Sequence, residues 1–378
     1  MKRSALKLRW VRMLGLLLAQ PAIGGQAVIE GVMMRSPHSF AVAVRRPDGS
    51  IVVREEAWLS FSERFPFLKW PLLRGANMLI ESMANGLSAL NFSAQEAMPE
   101  EEAAPDQSTA ERSAAADAPV TDERKSVGLW LTLLLSLGMA MAIFKGVPHL
   151  LTWGLGELLG NGEGSALPVT SALFHLVDGF IRLLVFAGYI GLISRMPDVR
   201  RLFMYHGAEH KSVHTFENQK ALEVAEAREE STAHPRCGTS LILLVIAVSV
   251  FVFAAVIPLF PQVSDNGLVQ ALFALSIKIP MLLPVAGVAY EAQRLAAKHP
   301  GHPIVRMLIA PGMWMQRLTT REPGDAELEV ALTALRKAWW REQLAVKAAD
   351  SVAENDASRA ATIEVFAHFE EVKEKVAA

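Results

Sequence analysis

Apolar positions along the chain follow three different patterns. Four stretches stay apolar for about 20 residues, the length a helix needs to cross the hydrocarbon of a bilayer. They lie at 128–148, 172–194, 239–260 and 268–290. The third carries no charge, the second holds His175, Asp178 and Arg182, and the fourth holds Lys278. Residues 24–58 instead suit β structure: FAVAVRR and SIVVREEAW alternate on either side of Pro47-Asp48-Gly49, a turn signal.

A third pattern has helical spacing. In 72–92, Leu72, Ala76, Leu79, Ile80, Met83, Leu87 and Leu90 share one side of a helix that packs on the β unit or lies on a membrane. From Asp325 onward Leu328, Leu332, Leu335 and Trp339 recur every three or four residues, and Phe366, Phe369 and Val376 follow a polar break at 351–358. This predicts a helical hairpin or partner-binding coil. Residues 95–123 are acidic, Ala-rich and Pro-broken, the composition of a disordered linker.

The fold expected is a polytopic α-helical membrane protein with four transmembrane helices. It carries a small N-terminal β-containing cytoplasmic domain and a helical C-terminal tail. The divisions fall at 1–22 (basic amphipathic segment), 23–94 (β unit and amphipathic helix), 95–125 (linker), 126–318 (membrane domain) and 319–378 (tail).

Composition agrees with that reading. Of 378 residues 51% are hydrophobic and 20% charged, and the mean hydropathy is +0.26. A net charge of −2 gives no support to nucleic-acid binding. A single cysteine, Cys237, excludes an intramolecular disulfide framework.

Loops 149–171 and 261–267 contain no Lys or Arg, whereas 195–238 carries seven and five more follow the last span by Arg321. By the positive-inside rule both termini and the central loop face the cytoplasm, as in a multi-pass inner-membrane protein. The first 22 residues resemble a secretory signal, but cleavage there would place the seven positive charges outside. They read better as a basic segment on the inner membrane surface.

The chemistry concentrates in Tyr205-His206-Gly207-Ala208-Glu209-His210-Lys211 and on to His214. On a helix the three histidines advance by only ~40° apiece, so they share a face. His-x-x-Glu-His is the inverted zincin pattern, in which two imidazoles hold a metal and the glutamate acts as base. Neutral imidazoles bind a divalent cation without cancelling its charge. The same loop brings His234 and Cys237 to the membrane surface, and Glu291 ends the fourth span, as further ligands. Cys237 with three histidines would close a structural site; His206, His210 and a carboxylate would leave a position for water. The plain alternatives are a polar juxtamembrane helix, a buried small Cys237 and a Glu291 paired with Arg294.

Gly24–Arg35 (GGQAVIEGVMMR), Tyr205–Lys211 (YHGAEHK) and His234–Thr239 (HPRCGT) resemble signature blocks of the YqhQ-like family, as do Tyr290-Glu291 and 318–323 (LTTREP). The resemblance spans about 20–337. It implies a bacterial membrane protein, described as a predicted metal-dependent enzyme. It carries over His206, Glu209, His210, His234 and Cys237, with Glu30 and Arg35 in the first block.

The reading expected is a cytoplasm-facing zinc hydrolase acting on a peptide or lipid-linked substrate, with Glu209 as base. His206 and His210 would be ligands, and His214, His234, Cys237 or Glu291 would complete the shell. Its partners would be the bilayer and other membrane proteins or a second copy. An alternative is a non-enzymatic assembly or translocon-associated factor with a structural His/Cys site. A weaker one is a small transporter built on Asp178, Arg182 and Lys278.

Overall fold

The computed structural model describes residues 21–98, 135–350 and 361–376, apart from 137, 161–165, 169–170, 262, 265–266 and 300–301. The basic segment at 1–20 and nearly all of the acidic linker lie outside the described residues.

The N-terminal β unit forms as its alternation predicts. Strands β1 (Gly24–Val28), β2 (Gly31–Arg35), β3 (Ser39–Arg45) and β4 (Ile51–Ala57) make an antiparallel meander. The β3–β4 loop is closed by Asp48, whose Oδ1 accepts from the Ser50 amide (2.8 Å) and hydroxyl (2.7 Å). A fifth strand, β5 (Thr362–Phe366), pairs antiparallel with β4, placing Ile51 opposite Phe366. This corrects the expected helical tail: Thr362, Ile363, Glu364, Val365 and Phe366 alternate with period two, and only Phe369–Lys375 beyond them is helical.

A short turn of helix, α1 (Phe61–Arg64), leads into α2 (Leu73–Glu96). Helical turns from 138, including a π turn at Ala142–Gly146, continue into α3 (Val147–Leu159). Then come α4 (Ala172–Ile193), α5 (Pro197–Glu217), α6 (Val224–Arg228), α7 (Gly238–Val256), α8 (Gly267–Lys298), α9 (Pro303–Thr319), α10 (Asp325–Asp350) and α11 (Phe369–Lys375). The second expected span does not run on into the histidine helix. The chain breaks at Ser194–Met196, and Pro197 starts α5 at a position where its missing N–H costs nothing.

Among the described residues two helical stretches are long and apolar enough to cross a membrane, Ala172–Ile193 and Ser240–Leu259. These are the second and third expected spans. Part of the first lies outside the described residues, and the fourth is the first two-thirds of α8, which contains Pro280 and Pro284.

Each sheet face has its own cover. Val32, Met34, Ala41, Ala43, Ile51 and Val53 pack with α5, α6, α10 and α11, where Tyr205, Leu328, Leu332 and Leu335 are fully buried. On the opposite face Val28, Met33, Phe40, Val42, Val44 and Val52 meet Ala89 and Phe92 of α2. The sheet is therefore a filled layer between α10 and α2. Its first strand lies along α5.

Candidate functional site

Helix α5 is buried on nearly all sides from Tyr205 to Val213, although most of those residues are polar. Such a helix is stable only where each polar group finds a partner. At Gly207 the segment Thr319–Pro323 crosses so closely that a Cβ would stand 2.1 Å from the Arg321 carbonyl oxygen. The glycine permits the crossing, and the Arg321 amide donates to the Phe203 carbonyl at 2.9 Å.

That crossing orients the first ligand candidate. His206 donates from Nδ1 to the Thr319 carbonyl at 2.8 Å, and its Nε2 lies 3.2 Å from Cys237 Sγ. His210 likewise donates from Nδ1 to the Thr232 carbonyl at 2.5 Å. Carbonyl oxygens only accept, so in both rings the neutral tautomer carries its proton on Nδ1 and a lone pair on Nε2. A ring fixed in this way by a backbone carbonyl is the usual outer support of a metal-binding histidine.

His206, His210 and Cys237 are all buried, and their three donor atoms lie within 4.8 Å of one another. Ligand atoms on a tetrahedral zinc stand about 3.3–3.8 Å apart, given its usual bond lengths. Small side-chain adjustments would close the group around an ion.

His210 Nε2 supplies a second observation. It is buried without a hydrogen bond, and Glu209 Oε2 lies 3.4 Å from it. A lone pair facing a carboxylate oxygen is repulsive unless a proton or a cation lies between them. The other oxygen, Oε1, accepts the Gly25 amide at 3.0 Å. At Gly25 β1 approaches α5 closely: a Cβ there would stand 2.8 Å from Glu209 Cγ and 2.5 Å from the Met33 carbonyl oxygen. The donor set therefore fits a divalent cation, and the orphaned nitrogen fits it best.

His214 and His234 form a separate group with Glu217. The four rings form a chain of edge-on and tilted contacts, with centroids 4.5 Å apart for His206–His210, 5.7 Å for His210–His234 and 4.6 Å for His234–His214. Here, however, the protons are already placed. His214 Nε2 donates to the Ala233 carbonyl at 2.9 Å. His234 Nδ1 accepts the Arg236 amide at 3.3 Å while Nε2 faces Glu217 at 3.5 Å. Burial holds both imidazoles below their ordinary value, and the Ala233 carbonyl and Glu209 respectively draw them partly back. The pair supports the cluster as neutral rings, and His234 reaches it through its ring contact with His210 and not through the Cys237 group.

Glu291 does not join the histidines. Both of its oxygens take the Arg74 guanidinium, Nε to Oε1 and Nη2 to Oε2 at 2.5 Å each, and those hydrogen bonds hold its carboxyl below the usual range. The partner is thus Arg74, on α2, rather than Arg294.

The Gly24–Arg35 block does fold over the site, but it delivers the Gly25 amide and neither charged side chain. Glu30, with φ of 51°, pairs with Arg201 Nε at 2.5 Å and accepts the Tyr205 hydroxyl at 3.3 Å. Arg35 lies 3.5 Å from Glu81 and over the Trp58 ring. In α4 Asp178 and Arg182 pair with each other, and the Lys278 ammonium stands over the Phe253 ring.

Two amides complete the frame. Gln316 on α9 accepts the His234 amide (2.8 Å) and donates to the His234 carbonyl (2.7 Å) and Ser240 Oγ (2.7 Å). Gln293 on α8 donates to the Cys237 carbonyl at 3.0 Å. Helices α9 and α8 thus clamp the 234–237 segment that presents the thiol. Neither glutamine has a sequence signal, since isolated amides carry no spacing pattern.

Residues 70–340 match a family described as a protein of unknown function, DUF1385. The chain is also similar to the uncharacterized protein YqhQ of Bacillus subtilis (strain 168), with 33% identity over 334 residues, covering 84% of this chain and 92% of that protein. No solved structure matches the chain. With a family match running from α2 to α10 and a relative that similar over most of both lengths, the chain belongs to the DUF1385, YqhQ-like family.

Proposed function

We propose that this protein is an integral membrane protein carrying a zinc centre at its cytoplasmic face, and that the centre is hydrolytic. The observation that carries the metal reading is the pair of Nδ1-anchored imidazoles that group with Cys237 Sγ within 4.8 Å, the His210 Nε2 left without a hydrogen bond. His206, His210 and Cys237 would hold the ion, the three-ligand set that leaves a fourth position open. A zinc ion in such a site supplies Lewis acidity and makes water acidic enough to attack at neutral pH.

The chain's own residues account for the rest. Glu209 stands beside His210 with one oxygen fixed by Gly25 and the other directed into the donor group, where it can accept a proton. The Thr319 and Thr232 carbonyls keep both imidazoles in one tautomer, and burial excludes bulk water. A peptide or lipid-linked substrate suits a site beside the membrane surface.

The membrane reading is supported by where the apolar side chains point. Only 11% of the apolar window in Ala172–Ile193 and 28% of that in Ser240–Leu259 are buried, which supports lipid-facing helices over core helices of a water-soluble fold. Phe180, Leu184, Phe251, Ile279 and Leu283 are exposed on adjacent helices α4, α7 and α8, and contiguous exposed apolar surface of this kind marks membrane or partner contacts. We read 128–148, which runs into the start of α3, and 268–290 of α8 as the remaining two spans.

A second reading is favoured by the 3.4 Å between Glu209 Oε2 and His210 Nε2. Glu209 would then be a fourth ligand and the site a closed structural one, in a factor that assembles with membrane partners. Zinc content and hydrolysis measured on Glu209→Gln decide between the two. Retained zinc with abolished turnover of lipid-linked or peptide substrates is expected; zinc lost as fully as in His206→Ala would establish the structural reading.

A further inference from the structure

The amphipathic helix α2 is turned inside out for a soluble domain. Its inward positions include the polar Asn77, Glu81 and Asn85, all buried. Its outward ridge is Ile80, Met83, Leu87 and Leu90, exposed by 51%, 68%, 61% and 42%. A helix packed on a soluble core does the reverse, with its apolar stripe inside.

The segment before it has the same character. Phe61, Phe65, Phe67 and Trp70 are all about half exposed or more, within ten residues. They are held by a built anchor: Glu81, 1% exposed, accepts the Ser60 hydroxyl and the Phe61 amide at 2.7 Å each and the Asn77 amide at 2.9 Å. Arg64 and Lys69 lie among the aromatics.

What covers this surface follows from where it is attached. The Arg74–Glu291 pair ties the start of α2 to α8 at the end of the expected fourth span. The ridge thereby continues the apolar surface of the spanning helices at the depth of the headgroups. The sheet occupies the opposite side of α2, against Ala89 and Phe92.

We propose that residues 59–90 form a collar embedded in the cytoplasmic headgroup region of the bilayer, on which the sheet is seated. Aromatic and basic side chains are the residues that sit at this depth, and an in-plane helix with one apolar face is the device that does so without spanning. The proposal rests on the membrane reading of α4 and α7. A collar fixes the height of the β unit, and with it of Gly25 and Glu209, above lipid.

The test is spin labelling of full-length protein reconstituted in bilayers containing anionic lipid. Labels are placed by Met83→Cys and Leu87→Cys, with Phe251→Cys in α7 as the hydrocarbon control and Asp48→Cys in the β3–β4 loop as the aqueous control. Cys237 is buried, so unsubstituted protein gives the background. Collar labels should collide with oxygen several-fold more, and with a water-soluble nickel complex several-fold less, than the label at 48. Labels at 83 and 87 as nickel-accessible as at 48, with the label at 251 shielded, would overturn the collar and leave the membrane reading standing. A nickel-accessible label at 251 would overturn both.

Discussion

His206 and His210 each give one ring nitrogen to a main-chain carbonyl, and that is what makes them useful. A free imidazole samples two tautomers, whereas these two have their Nε2 lone pairs left free, that of His206 beside Cys237 and that of His210 beside Glu209. The motif was legible because the i, i+4 spacing brings the rings together on a helix. Its partner Cys237 was legible only as one of several possible ligands, and Glu291 was a wrong companion because the pairing with Arg74 depends on a contact 217 positions away. The Gly25 amide could not be read at all, since every residue but proline has one.

Two substitutions test the frame at this scale. Gly207→Ala forces a Cβ against the Arg321 carbonyl. Overpacking of this kind costs about 1–3 kcal/mol, so the thermal midpoint should fall; an unchanged midpoint would show that the crossing yields freely. Gln316→Leu leaves the His234 amide and carbonyl buried without their partner, a loss of about 1–3 kcal/mol. Weaker metal retention should accompany it, read by competition with a chelator, because the 234–237 segment is what presents the thiol.

Among the elements, those whose pattern is dense formed as read. The alternating runs around Pro47-Asp48-Gly49 became β3 and β4, and the repeat of Leu328, Leu332 and Leu335 became α10. β5 was misread because it is short and its Phe366 happens to fall three residues before Phe369, which imitates helical spacing. What seats it is long-range: Lys337, 1% exposed on α10, donates to Glu364 at 2.6 Å and lies 3.7 Å from Glu55 of β4. For α2 the stripe was legible but its direction was not, since periodicity does not say which side faces the protein.

The β5 contacts carry a pH dependence. Desolvation alone would raise the Glu364 carboxyl, but hydrogen bonds from Lys337 and Lys375 more than offset it and hold the group below its ordinary 4.5. A carboxyl depressed on folding contributes stability that is present above its unfolded value and lost as pH falls through the folded one. Hydrogen exchange of residues 362–366, corrected for intrinsic rate, should therefore accelerate below about pH 4.5 in the wild type. In Glu364→Gln that dependence should be flattened; the same acid response in the variant would assign it to another group.

The whole molecule joins two halves that use water differently. Helices α4 and α7 expose their apolar sides, whereas the sheet and α10 bury theirs, and α5 lies between these regions with the histidine cluster at the junction. In a topology of four spans with both ends inside, a fluorescent or phosphatase reporter fused after residue 378 should be active only in its cytoplasmic form, and one inserted in 149–171 only in its external form. An external C-terminus would reverse the membrane reading and place the histidines on the wrong side.

The central claim, that His206, His210 and Cys237 together hold a metal, is tested most directly by cobalt substitution. Protein stripped of metal and reloaded with Co²⁺ should show a thiolate-to-cobalt charge-transfer band and the intense visible bands of a tetrahedral site. Both should vanish in His206→Ala and in His210→Ala, and Cys237→Ser should lose the charge-transfer band alone or with the rest. A folded protein that takes up no cobalt, or whose bands are untouched by Cys237→Ser, would contradict the assignment.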